Sequence, residues 1–174
     1  GQHFTVVLPE PWHLRAAGCF RMLRRVLRLD RCTVIRSAPA PGATLVVRRG
    51  VAYRVYPKEA TARPLSPRLA CRQPFHGGAA GLPDGSVVFG EYSNNPDRKP
   101  VNLWKWIPFE DRLTCVHQFA AGAVRHIHAC IWDPFGEQVW VFNGDTGDEA
   151  RVLAANRDFS SMKCLGEGTQ AWRA

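Results

Sequence analysis

An all-β chain of repeated four-stranded antiparallel units is the fold class this sequence predicts, and three observations predict it. First, four short segments centred on a cysteine recur: Asp30-Arg31-Cys32-Thr33-Val34, Arg68-Leu69-Ala70-Cys71, Arg112-Leu113-Thr114-Cys115-Val116 and Ser161-Met162-Lys163-Cys164-Leu165. Their cysteines lie 39, 44 and 49 residues apart, a span that suits four short strands and their turns. Second, Pro/Asp/Gly clusters stand ahead of β-branched and aromatic runs, at Pro83-Asp84-Gly85-Ser86 before 87–92 and at Pro134-Phe135-Gly136-Glu137 before 138–143. That order is a hairpin signature. Third, short strands and tight turns fill the chain beyond residue 29, as an antiparallel architecture requires.

The elements follow in order. Phe20, Leu23, Val26 and Leu27 recur at helical spacing between arginines, which predicts a short amphipathic helix over about 12–29. A first unit over about 30–71 holds strands at 44–47, 51–56 and around Cys71, with a Pro-rich irregular stretch at 57–67. A second, over about 72–119, holds 87–92, 101–106 and the strand of Cys115. A third, over about 120–168, holds 138–143, 150–155 and the strand of Cys164. A further strand is expected to begin at 170–174. Units of this length and pattern predict a partial β-propeller of about three four-stranded antiparallel blades. Such an arc has open sheet edges. The expectation is a fragment completed by missing blades or by self-association at those edges.

Composition bounds the partners. Hydrophobic residues make up 45% and charged residues 22% of the 174, the balance of a soluble globular domain. No apolar run approaches the roughly 20 residues a membrane-spanning helix needs, so no membrane span is expected. Residues 1–11 lack the charged and apolar regions of a signal peptide, which favours the cytoplasm. None of the six cysteines forms a CxxC pair, so no zinc cluster is expected from them. They sit in apolar segments and read as buried thiols in a reducing compartment. The net charge of +8 is concentrated early, at Arg15, Arg21, Arg24, Arg25, Arg28, Arg31 and Arg36. No nucleic-acid motif accompanies it. It reads as a solvated helix face, with no specific nucleic-acid partner.

The sharpest local chemistry is Arg125-His126-Ile127-His128. Alternate strand residues share a face, so His126 and His128 point together and Arg125 opposes them. Paired imidazoles serve acid–base work or metal ligation, and a third group could come from Asp145, Asp148 or Glu149. HxH alone is common, so neither a metal nor a cofactor is assigned from it. The loop 143–149 is acidic and contains glycine, but lacks the spacing of an EF-hand. Glu91 closes a strand near the loop of Asn94, Asn95 and Asp97. Phosphate-loop, GxSxG and HExxH motifs are absent.

A further set of residues carries a resemblance: Phe89-Gly90-Glu91-Tyr92, Asn95-Pro96, Arg98, Val124 to Ala129, Trp132 to Phe135, Trp140, Asn143-Gly144-Asp145, Asp148-Glu149 and Gly168 to Arg173. Over about 80–174 the chain resembles bacterial sialidase-like proteins of the BNR/Asp-box propeller type, met in surface-polysaccharide gene clusters. An Asp box is a Ser-x-Asp-x-Gly-x-x-Trp turn between third and fourth strands. Here Asp158 matches it, with Ser160 for the Gly and Lys163 for the Trp. The counterpart at 108–111 has lost it. The resemblance implies a propeller binding a glycan or small anionic ligand at its channel face, with Glu91, Arg125, His126, His128, Asp145, Asp148, Glu149, Arg151 and Arg173 as candidate binding residues. Sialidases hold the sialic carboxylate with three arginines, and Arg125, Arg151 and Arg173 are the set to test. A glycoside hydrolase or lyase acting on an anionic glycan, and a protein-interaction scaffold, are the alternatives.

Overall fold

The computed structural model describes residues 5–9, 12–13, 16, 19–26, 31–36, 43–145, 147–168 and 172. The described chain is all-β, with twelve strands in three four-stranded antiparallel sheets. Sheet 1 is β1 (Thr33–Arg36), β2 (Thr44–Arg48), β3 (Val51–Tyr56) and β4 (Thr61–Pro64). Sheet 2 is β5 (Ala79–Gly81), β6 (Val87–Gly90), β7 (Val101–Ile107) and β8 (Arg112–Phe119). Sheet 3 is β9 (Ile127–Asp133), β10 (Gln138–Asn143), β11 (Arg151–Asn156) and β12 (Met162–Glu167). Each sheet pairs its strands in chain order, a meander closed by tight turns.

The turns form where their residues dictate. Between β5 and β6, Ser86 donates its N–H to the Asp84 carboxylate and Leu82 donates its N–H to the Ser86 carbonyl. Between β9 and β10, Asp133 accepts from the Phe135 N–H at 3.0 Å and from the Gln138 amide at 3.1 Å. Between β11 and β12, Asp158 accepts from both the N–H and the hydroxyl of Ser160, while Phe159 is buried beneath the turn. The segment 156–160 is thus a folded turn held by its own side chains.

Two cores explain the stacking. Leu45, Val47 and Ala52 of sheet 1 pack with Val87, Phe89, Trp104 and Trp106 of sheet 2. Val88, Val101 and Leu103 of sheet 2 pack with Ile127, Cys130, Val139, Val141 and Leu153 of sheet 3. Alternate residues of β6 and β7 therefore enter opposite cores, and β6 is buried along its whole length. A strand apolar on both faces, as 87–89 is, belongs in a middle layer. The outer strands β8 and β12 are largely exposed. Asp111, in the β7–β8 turn, ties sheet 2 back to Arg54 and Tyr56 of β3.

Three expectations change. The strand expected around Cys71 is absent: residues 65–78 contain no strand, and sheet 1 closes instead on β4. Pro67 and Pro74 flank that segment and cannot donate to a ladder, yet Leu69 and Cys71 still fill the core between sheets 1 and 2. Cys32 precedes the first strand of its sheet, whereas Cys115 and Cys164 lie in fourth strands, so the cysteines do not mark one repeated position. Four cysteines, Cys19, Cys32, Cys115 and Cys164, are exposed, and Cys71 and Cys130 are buried.

Of the helix expected over 12–29, Trp12, His13 and Ala16 are described as helical, and a six-residue helix runs over Arg21–Val26 (α1). It is not shown as a longer amphipathic helix, since Cys19 and Phe20 form a turn and bend, and 27–29 lie outside the described residues. Met22, Leu23 and Val26 are exposed rather than packed on a core. Of the expected strand at 170–174, only Trp172 is described, and its ring stands over Gly166 of β12.

Candidate functional site

Three of the expected residues converge. His126 and His128 are 5% and 4% exposed, and their ring centroids stand 4.7 Å apart, edge to face. Asp145 bridges them: its Oδ2 lies 3.2 Å from His126 Nε2 and its Oδ1 3.2 Å from His128 Nε2. One ligand atom from each of the three lies within 4.8 Å of the others.

Local structure builds this convergence. Simple alternation on one strand does not, because His126 precedes β9 and a bulge at His128 shifts the β9–β10 register, Phe142 facing Ala129 and Asn143 facing Ile127. A bulge re-aims side chains and is common beside functional sites. Two glycines let β9 sit so close to sheet 2. A Cβ at Gly78 would collide with the His128 carbonyl, and one at Gly90 would strike the Ile127 side chain. The Cys130 N–H then donates to the Gly78 carbonyl at 3.2 Å, and the Ile127 N–H to the Glu91 carbonyl at 2.9 Å. Gly144, at φ 71°, turns the chain after β10 so that Asp145 returns over the histidines. Its N–H donates to the His126 carbonyl at 3.2 Å.

Each imidazole has a second anchor. His126 Nδ1 is 3.0 Å from the Ser93 carbonyl, and His128 Nε2 is 3.1 Å from the Gly144 carbonyl. The Tyr92 ring lies 4.4 Å from that of His126 and 5.6 Å from that of His128, and Phe75 closes the wall at 6.0 Å from His128. Tyr92 and Ser93 also line a neighbouring cavity of about 360 Å³ with Arg31, Arg49, Arg72, Gln73 and Asn94.

The other expected residues go elsewhere. The carboxylate of Glu91 is buried and accepts four hydrogen bonds: from the Ala70 N–H, the Trp104 indole, and the Asn102 N–H and amide, at 2.7 to 3.1 Å. It knots three segments together and is spent on structure. Glu149 is buried against the Arg98 guanidinium. Arg151 faces Glu167 across β11 and β12 at 3.0 Å. Arg125 contributes its carbonyl to the Asn95 amide, and its own Nε is buried without a hydrogen-bond partner. The side chain of Asp148 and all of Arg173 lie outside the described residues.

Sequence reasoning passed over Tyr92, Ser93 and the arginines of the cavity. Arg31, Arg49 and Arg72 come from three segments that only the packing of sheets 1 and 2 unites. Arg31 read as part of a helix face, and no local pattern marked the others. Buried below, the Cys71 thiol is pushed up to about 12 by burial, with the Glu91 charge acting in the same direction. It is a packing group here rather than a nucleophile. No protein-family model matches the chain, and no curated protein matches it.

Proposed function

We propose that this chain is an arc of three blades from a sialidase-like propeller, and that it binds a small anionic ligand, an acidic sugar, in the arginine-lined cavity. The cavity carries the reading. Three guanidinium-bearing side chains beside Tyr92, Ser93, Asn94 and Gln73 in about 360 Å³ combine charge for a carboxylate with a ring and amides for a sugar. Guanidinium pairs with carboxylate in a two-pronged geometry that an ammonium cannot match, and an aromatic face stacks on a pyranose. The meander order of each sheet and their face-to-face stacking are what supports the propeller. The arginines of this reading are Arg31, Arg49 and Arg72, which line one cavity, in place of the set considered from sequence, Arg125, Arg151 and Arg173.

Calorimetric titration with N-acetylneuraminate and with galacturonate tests this. One of the two acids binds, neutral galactose does not, and an Arg49→Ala, Arg72→Ala double variant weakens binding at least tenfold, with affinity falling as salt rises. Binding that is indifferent to both arginines, or absent for every acidic sugar with the fold intact, overturns the reading.

A further inference from the structure

We infer that His126, His128 and Asp145 form a binding site for a divalent first-row transition ion, of the class typified by Zn²⁺. The inference is independent of the arginine cavity. A carbonyl oxygen only accepts, so His126 Nδ1, 3.0 Å from the Ser93 carbonyl, carries its hydrogen. In the neutral ring the lone pair then lies on Nε2. That Nε2 is fully buried, has no hydrogen-bond partner, and faces Asp145 Oδ2 at 3.2 Å. An acceptor nitrogen buried this close to a carboxylate oxygen is stabilised by a cation between the two.

The spacing suits a metal ion. Tetrahedral bonds of about 2.0–2.1 Å set neighbouring ligand atoms roughly 3.3 Å apart. His126 Nε2 lies 3.2 Å from one Asp145 oxygen and His128 Nε2 3.2 Å from the other, and one ligand atom from each of the three residues lies within 4.8 Å of the others, so a small closure of the rings brings all three onto one ion. At His128 the ion displaces the proton that Nε2 would share with Asp145 Oδ1 and the Gly144 carbonyl, and that carbonyl, 3.1 Å from Nε2, remains at hand as a further oxygen. Two nitrogens and one carboxylate favour Zn²⁺, Fe²⁺ or Co²⁺ over Ca²⁺ and Mg²⁺, which take oxygen ligands. The outer layer is also built. The Ser93 carbonyl fixes the His126 ring, as such partners do in metal sites, and Tyr92 and Phe75 give an apolar wall.

The test uses the chelator-treated whole chain, with the exposed Cys19, Cys32, Cys115 and Cys164 alkylated to remove thiolate competition. Titration with ZnCl₂ followed by calorimetry gives one ion per chain with a micromolar or tighter Kd. Asp145→Asn and His126→Gln each weaken it at least tenfold. Co²⁺ added to the unaltered chain shifts or broadens the ring-proton resonances of His126 and His128 before any others, a readout that needs no variant. The inference is overturned if Zn²⁺ does not saturate at one per chain. It is overturned equally if both variants bind undiminished, or if Co²⁺ perturbs other residues first.

Discussion

Glu91 and Asp145 are two carboxylates near the rim formed by sheets 2 and 3, and they do opposite things with the same functional group. Glu91 follows β6 directly and is 3% exposed. Its two oxygens are filled by four N–H donors, two of them main chain, which no titration or ligand can take away. Asp145 sits on a loop after β10, its side chain 26% exposed, against two imidazole rings. A carboxylate satisfied by fixed donors holds a fold together, whereas one facing titratable rings is placed to bind. The difference lies in the partners rather than in burial alone.

The strongest way to break this comparison is at Glu91. Replacing it with Ala leaves four donors in a buried place with no acceptor, and each orphaned group costs about 1–3 kcal/mol. With partial relaxation, Glu91→Ala is expected to lose about 4 kcal/mol of unfolding free energy, measured by urea denaturation. Asp145→Asn in the same assay is expected to be nearly silent. Equal losses at the two positions would erase the distinction.

A smaller effect is expected where the Asp145 loop is set. Gly144 adopts φ 71°, and a Cβ there would collide with the Glu149 carbonyl. Gly144→Ala is expected to cost about 2 kcal/mol in stability and to displace Asp145 from the histidines. Loss of the contact would appear as a change in the ring-proton shifts of His126 and His128. Unchanged shifts would mean that the loop holds Asp145 without needing this turn.

Much of the scaffold was legible because its signals are local. The turns at Pro83–Ser86 and Pro134–Glu137 and the alternation of 138–143 depend on neighbours in sequence, and they fall where the residues indicate. The cysteine spacing was a weaker guide. It marked the fourth strands through Cys115 and Cys164, but Cys71 is held by core packing with no ladder around it. In the site, His126, His128 and Asp145 could be picked out by residue type. That the two rings share a face was expected too, but which of Asp145, Asp148 and Glu149 joins them was not, because that depends on a bulge at His128 and on the turn at Gly144. Glu91 looked like a rim group because sequence does not show the donors of Ala70 and of Asn102 and Trp104 on β7 arriving from two other segments. The arginine cavity was hidden for the same reason, its lining running from Arg31 to Asn94.

Asp84 offers the finest test, since it stands between the two extremes. Burial favours its neutral acid, but hydrogen bonds from the Ser86 hydroxyl and N–H and from the Lys105 ammonium outweigh that and hold its carboxyl below the ordinary 3.8. Lys105 lies 3.2 Å away, and Arg157 of the β11–β12 turn 3.9 Å. A carboxyl whose value is lower folded than unfolded adds stability above the unfolded value. That contribution is lost as pH falls from about 3.8 through the folded value. The urea midpoint is therefore expected to decline on going from about pH 6 to about pH 2.5. Asp84→Asn should flatten part of that decline, and only part, because Asp133 and Asp158 are lowered in the same sense by their own turn hydrogen bonds. The effect is small because the Asp84 side chain is 37% exposed and screened by water. A decline of unchanged slope in Asp84→Asn would show that the β5–β6 turn holds its shape through the backbone alone, and that Asp84 belongs with neither Glu91 nor Asp145.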